Sequence, residues 1–201
     1  MSFDPQTKAF KEYPIPRNFL WRSGIYPHTI RADKEGNVWF TVTYSNEVYK
    51  FDTKTEQFTR VKLPYNGVMT WISDHFMGVV LKIAGLFPAK NYQLGLSHHK
   101  WLNAGDSAYS VSYGIDVDPK TGNIWYSKVV GNRIGVVNKD ALEVKEYVTP
   151  HKGPRRLRFG PDGLLWIPSF DEGVLMSFDP QTEKFESYPL PLLAKGEYEV
   201  P

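Results

Sequence analysis

An all-β propeller built from four-stranded blades is the fold this sequence predicts, and three observations predict it. First, MSFDPQTKAFKEYPIP (residues 1–16) returns almost unchanged as MSFDPQTEKFESYPLP (176–191), with looser copies VYKFDTKTEQFTRVKLP (48–64) and IGVVNKDALEVKEYVTP (134–150). Second, a turn followed by a tryptophan precedes three of these copies: DKEGNVWF (33–40), DPKTGNIWYS (118–127) and GPDGLLWIPS (160–169). Third, the spacing is regular. Trp125 and Trp166 lie 41 residues apart, and Trp39 and Trp125 lie 86 apart, about two such periods. Several short strands per period of roughly 40 residues are what a propeller blade looks like in sequence.

The best-formed unit shows each element in order. Its strands run over His28–Ala32, Val38–Thr43, Glu47–Asp52 and Gln57–Leu63. The Asp/Gly-rich segment 33–37 links the first two, and Asp52–Glu56 links the last two. Gly and Asn in such turns supply the positive φ that a hairpin requires. The conserved place of Trp39, Trp125 and Trp166 in the unit predicts burial between neighbouring blades, where a large aromatic contributes most.

The chain starts with the last two strands of a blade, and Pro201 aligns with Pro27 and Pro154, just before a first strand. The expectation is therefore a single partial propeller over residues 1–201, about 3.5 blades, part of a larger ring. Propellers close with four to eight blades. A longer chain would complete the ring, or a homodimer would close it.

Residues 65–109 interrupt the repeat. Val68, Met69, Ile72, Phe76, Val80, Ile83 and Phe87 fall at helical spacing, Ser73 or Asp74 would cap the start, and Pro88 would stop it. This predicts a helix near 74–86 within a helical insertion. A degenerate blade is the alternative, against which stands the missing Gly–x–x–Trp turn.

Composition removes several function classes. The 24 basic and 22 acidic side chains nearly cancel without a block of either sign, so no nucleic-acid footprint is visible. There is no cysteine, hence no disulfide, thiolate metal site or cysteine nucleophile. Residues 1–20 lack the basic start and apolar run of a signal peptide. The most apolar stretch, Phe76 to Phe87, contains Lys82 and is too short for a bilayer, which needs roughly 20 apolar residues. A soluble chain with no membrane partner is expected, periplasmic or secreted if a leader precedes it. No Gly-rich phosphate loop, zinc-type histidine spacing or nucleophile elbow is present.

In a propeller, the loop leading into a blade's first strand lies beside the central channel. The repeat register therefore places His28, Tyr113 and Arg155 around one mouth of the funnel. The 65–109 insertion also leads into a blade, so it is expected over the same mouth as a lid or a docking surface, bringing His75, His98 and His99. A lid excludes water and strengthens the polar contacts beneath it. Adjacent histidines point apart in a strand, so His98 and His99 suit ligand contact better than joint grip on a metal. Asp171 and Glu172 fill a turn on the same mouth, farther out, and Arg155 is suited to holding an anion by paired hydrogen bonds.

The pattern P-H-x-I…D-x-x-G-x-[VI]-W-F…N-x-[VI]…F-D…[EK]-Y-P-[IL]-P resembles the virginiamycin B lyase (streptogramin B lyase) family over residues 1–16, 27–64 and 110–191. The resemblance implies a seven-bladed propeller with Mg²⁺ and a histidine at the central funnel. The reaction it implies is an elimination that opens the ester bond of a cyclic peptide. A metal would stabilise enolate charge while a base removes the α-proton. The family's functional histidines sit in P-H-x-I segments, and here Pro27-His28-Thr29-Ile30 alone matches. Ser112-Tyr113-Gly114-Ile115 and Pro154-Arg155-Arg156-Leu157 hold the equivalent places. The resemblance thus makes His28 the catalytic candidate. The family's metal-site glutamate follows a blade's Trp-Phe by a few residues, and those places hold Val42 and Thr43, Lys128 and Val129, or Ser169 and Phe170. The metal ligands stay unassigned. Two functions are expected: a module binding a small-molecule or peptide ligand at the funnel through Tyr113, Arg155, His98 and His99, or a Mg²⁺-dependent carbon–oxygen lyase acting on a cyclic ester or lactone.

Overall fold

The turns that make the repeat readable are held by an aspartate, or in the turn at 138–142 by Asn138. Asp33 Oδ1 accepts the amides of Glu35 (2.9 Å) and Asn37 (2.8 Å), while Gly36 takes a φ of 88°. Asp52 Oδ1 accepts Lys54 N (2.8 Å) and Thr55 N (3.0 Å) in the same way. An aspartate that satisfies two turn amides reverses the chain within a few residues, and the strands on either side pair.

The computed structural model describes residues 1–16, 24, 26–84 and 110–191. β1 (Ser2–Asp4) and β2 (Ala9–Lys11) form a hairpin. β3 (Pro27–Ala32), β4 (Val38–Val42), β5 (Glu47–Asp52) and β6 (Gln57–Lys62) form the first four-stranded sheet. After the helix α1 (Val68–Ala84) come β7 (Val111–Val117), β8 (Ile124–Val130), β9 (Arg133–Val137) and β10 (Val144–Val148), the second sheet. β11 (Arg158–Phe159), β12 (Leu165–Ser169), β13 (Val174–Asp179) and β14 (Lys184–Pro189) form the third. Each sheet is an antiparallel meander in chain order. The fold is a β-propeller segment of three whole blades and a half blade, as the repeats predict. No helix among the described residues is long and apolar enough to cross a membrane.

The blades stack through apolar faces. Trp39 is fully buried with Val48, Val61 and Leu63 of its own blade and Ile115, Ile124, Tyr126 and Val137 of the next. Trp125 packs with Leu157, Leu165, Ile167, Val174, Met176 and Phe178 of the third blade. Tyr13 and Ile15, which follow the β1–β2 hairpin, cover the opposite face of the first blade at Phe40, Val42, Tyr49 and Phe51. Trp166, by contrast, is only half-buried and lies 5.5 Å from the Tyr188 ring.

The first strands β3, β7 and β11 lie side by side and form the inner wall. One carboxylate ties all three. Asp116 on β7 accepts Arg31 Nε from β3 (3.2 Å) and Phe159 N from β11 (2.9 Å). β11 begins late because Pro168, which faces the segment leading into it, has no N–H to give; Arg155 N donates to the Pro168 carbonyl (3.2 Å) without a return bond.

The helix differs from the expectation. It begins at Val68 rather than near residue 74. Gly67, with φ 141°, makes the turn into it, and Trp71 N donates to the Gly67 carbonyl at 3.2 Å. Asp74 is not a cap; it lies inside the helix and its carboxylate accepts the Tyr65 hydroxyl at 2.8 Å.

Candidate functional site

Three consecutive blades deliver three side chains to one place. His28 sits at the start of β3, Tyr113 near the start of β7, and Arg155 just before β11. The His28 and Tyr113 rings are 3.9 Å apart between centroids. The Arg155 guanidinium lies over the Tyr113 ring at 5.0 Å and its Nη2 donates to the Tyr113 hydroxyl at 3.1 Å. The three side chains, which the repeat register aligns at the entry of successive blades, are thus in contact with one another.

A fourth side chain, Phe170, completes the stack. It comes from the turn between β12 and β13 and its ring centroid is 4.2 Å from the Arg155 guanidinium, with 39% of its surface exposed. The guanidinium is held between two aromatic rings, a geometry attractive to a cation. Sequence reasoning placed Phe170 only as a residue in the position of the family's glutamate. The signal that would have found it is the register itself: the β12–β13 turn faces the same mouth as the loop leading into β11.

The backbone beneath this stack is fixed by a close approach. A Cβ on Gly114 would overlap the Arg155 carbonyl oxygen and press on Arg156 Cα. Only glycine lets the third blade come this near the second. Ser127 Oγ fills the remaining space, accepting Gly114 N (2.9 Å) and donating to the Arg155 carbonyl.

Positive charge dominates around this cluster. His28 Nδ1 is 2.9 Å from the Thr29 hydroxyl. Burial lowers the His28 pKa below its ordinary value, the charges of Arg156 and Arg155 lower it further, and a hydrogen bond to the Tyr113 backbone opposes them. Neither Arg155 nor Arg156 forms an ion pair among the described residues. In the neighbouring turn, Glu172 is engaged by His151 (2.7 Å) and by Lys152 N (3.1 Å), and the Asp171 carboxylate lies against Gly153, where a Cβ would meet it at 2.8 Å.

This donor set does not suit a divalent cation. Such an ion takes carboxylate and carbonyl oxygens, whereas two arginines and an imidazole meet here. No group of three or more His, Asp or Glu side chains able to hold a metal occurs among the described residues.

Lys128, which stands where the family's glutamate would be, is wholly buried. Its Nζ lies 2.7 Å from Glu146 Oε1 and donates to the Pro64 carbonyl (2.6 Å) and Asn66 Oδ1 (3.0 Å). The Tyr126 hydroxyl donates to the same Glu146 oxygen at 2.6 Å. Burial lowers the Lys128 pKa, while Glu146 opposes that shift. These bonds anchor the first residues of the 65–109 insertion to blade two, beside the β8–β9 turn. His75 lies on α1 against Trp71, 4.0 Å between rings. His98 and His99 lie outside the described residues.

Comparison with known proteins bears on the fold. No family model matches the chain, and no curated protein does. Among solved structures, the chain is similar to a streptogramin B lyase (TM-score 0.62, 23% identity, covering 92% of this chain and 46% of that one). It is also similar to a catalytically inactive virginiamycin B lyase from Staphylococcus aureus with quinupristin (TM-score 0.57, 22% identity, 84% and 43%). A third likeness is to a chain of a nidogen/laminin complex (TM-score 0.53, 11% identity, 85% and 50%). The chain spans less than half the length of the lyases it matches. The resemblance to the streptogramin B lyases read from the blade motif therefore holds at the level of the fold, a β-propeller.

Proposed function

We propose that this chain is part of a ligand-binding propeller that holds a small molecule or peptide at the mouth of its central funnel. The observation that carries this reading is the convergence of His28, Tyr113 and Arg155 from three successive blades into one stack. Aromatic faces beside a guanidinium offer apolar area and hydrogen-bond donors together, which is the usual make-up of a ligand site. The test is a titration with quinupristin and with linear peptides, following the ring signals of His28 and Tyr113 by NMR. Saturable shifts confined to these residues and lost in Tyr113→Ala support the reading; shifts spread over the outer strands, or none, contradict it.

A second reading, a carbon–oxygen lyase acting on a cyclic ester, is favoured by one observation. His28 lies in the single P-H-x-I segment and its lowered pKa leaves a neutral nitrogen able to accept a proton. The residues around it do not fit Mg²⁺, so this reading rests on His28 as base. Mass spectrometry of quinupristin incubated with the protein, with and without Mg²⁺, tests it. A ring-opened product that disappears in His28→Ala would establish the lyase; unchanged substrate under both conditions would leave the binding reading alone.

A further inference from the structure

Arg155 differs from the other arginines of the inner wall. Arg31 is paired with Asp116, and Arg158 donates to the carbonyls of Ile115 (3.1 Å) and Leu157 (2.6 Å). Arg155 has its backbone fixed on both sides, by Pro168 and by Ser127, and its side chain held between Tyr113 and Phe170. Yet of the five N–H donors of a guanidinium, one is used among the described residues, on the Tyr113 hydroxyl. Arg156 adds a second positive charge beside it with no acidic partner among the described residues. Holding a half-buried guanidinium rigid while leaving its fork unfilled prepares it for a planar anion, since a pre-ordered group loses little freedom on binding.

We infer that the funnel mouth is selective for a carboxylate joined to a planar apolar group, the carboxylate taken by the free edge of Arg155 and the apolar group by the Phe170 and His28 faces. This rests on the reading of the mouth as a ligand site and names the class of ligand. It also sets this chain apart from a divalent-cation site. Bidentate pairing between guanidinium and carboxylate supplies direction. The rings on either side supply apolar area, and Arg156 adds attraction at a distance.

The test uses the 201-residue chain and four probes at constant ionic strength: benzoate, benzamide, inorganic phosphate and Mg²⁺, read by NMR at His28 and Tyr113 and by calorimetry. Benzoate is expected to bind at least about tenfold more tightly than benzamide, the scale of one charge-assisted hydrogen bond. Arg155→Gln is expected to lose that advantage. Arg155→Lys, which keeps the charge and loses the fork, is expected to fall between the two. Circular dichroism and thermal unfolding matched to the unsubstituted chain show that both variants fold. Equal binding of benzamide would overturn the inference while leaving a ligand site at the mouth. Phosphate binding as tightly as benzoate would overturn the role of the planar group. Mg²⁺ moving the same signals in place of benzoate would overturn the anion preference. No response to any probe would overturn both this inference and the proposed function.

Discussion

Blade two and blade three each bring a positive side chain to the same side of the propeller, Lys128 and Arg155, and the fold treats them oppositely. Lys128 is fully buried and arrives with all its partners: Glu146, Pro64 and Asn66. Arg155 is half-buried, stacked on two rings, and pairs with no carboxylate among the described residues. A buried charge must be compensated from within, or it does not stay charged. A charge at the rim of a channel keeps water as its partner until something better arrives. The difference separates a residue that holds the insertion in place from one available to a ligand.

The largest expected effect is on the buried member. Lys128→Met leaves the nearly buried Glu146 carboxylate without its ammonium partner, and denaturant unfolding should show a loss of about 3–5 kcal/mol. Adding Glu146→Leu to the same chain removes the orphaned charge, and most of the loss should return. A double variant no more stable than the single one would mean that the pair does not act as a unit.

Next comes the joint between the two blades. Gly114→Ala places a methyl group against the Arg155 carbonyl. Overpacking of this kind costs about 1–3 kcal/mol, and the displaced Arg155 should lose benzoate binding at the same time. Stability lost with binding intact would separate Arg155 from the close approach that supports it.

Arg155→Gln should change stability by no more than about 1 kcal/mol, the scale of a cation–π contact near the surface. Its effect should fall on binding instead. A large destabilisation would place Arg155 with Lys128, as part of the scaffold.

The smallest effect is electrostatic. Burial first, then Arg156 and Arg155, hold the His28 pKa below its ordinary value. The unfolded chain therefore takes up the proton at a higher pH than the folded one. The contribution of His28 to stability is whole above its ordinary value of about 6.5 and is lost as pH falls from there through the folded value. Arg156→Ala should raise the His28 pKa and shrink this loss, while His28→Gln should remove it from the stability–pH curve.

How much of this was legible in the sequence differs between the fold and the site. The strands were readable because side-chain alternation and the aspartate turns repeat, and Trp39 and Trp125 lie between blades where the repeat puts them. The start of α1 was misplaced because Asp74 looks like a cap, and only the fold brings the Tyr65 hydroxyl to it. The contact of His28, Tyr113 and Arg155 followed from register, whereas their ligands do not. The sequence marks Lys128 only as standing at the place of the glutamate that the resemblance implies, because its partner Glu146 lies two strands away across the sheet. Tyr126 reaches that same glutamate only because Gly135 between them lacks a Cβ, which would overlap the tyrosine ring. Pairing across a sheet is a product of the meander, and no local pattern announces it.

The most direct measurement of the central claim is a pH titration of the His28 imidazole by NMR, with and without saturating benzoate. His28 faces Tyr113 and the charges of Arg155 and Arg156; the His151–Glu172 pair lies farther out on the same rim. The account predicts a pKa below the ordinary imidazole value in the free protein. Bound benzoate should move it upward, because the anion offsets the two arginines, and Arg155→Gln should abolish that movement. A His28 pKa identical with and without benzoate, in a protein that binds benzoate, would put the ligand elsewhere and contradict the claim that the three blades build one anion-binding mouth.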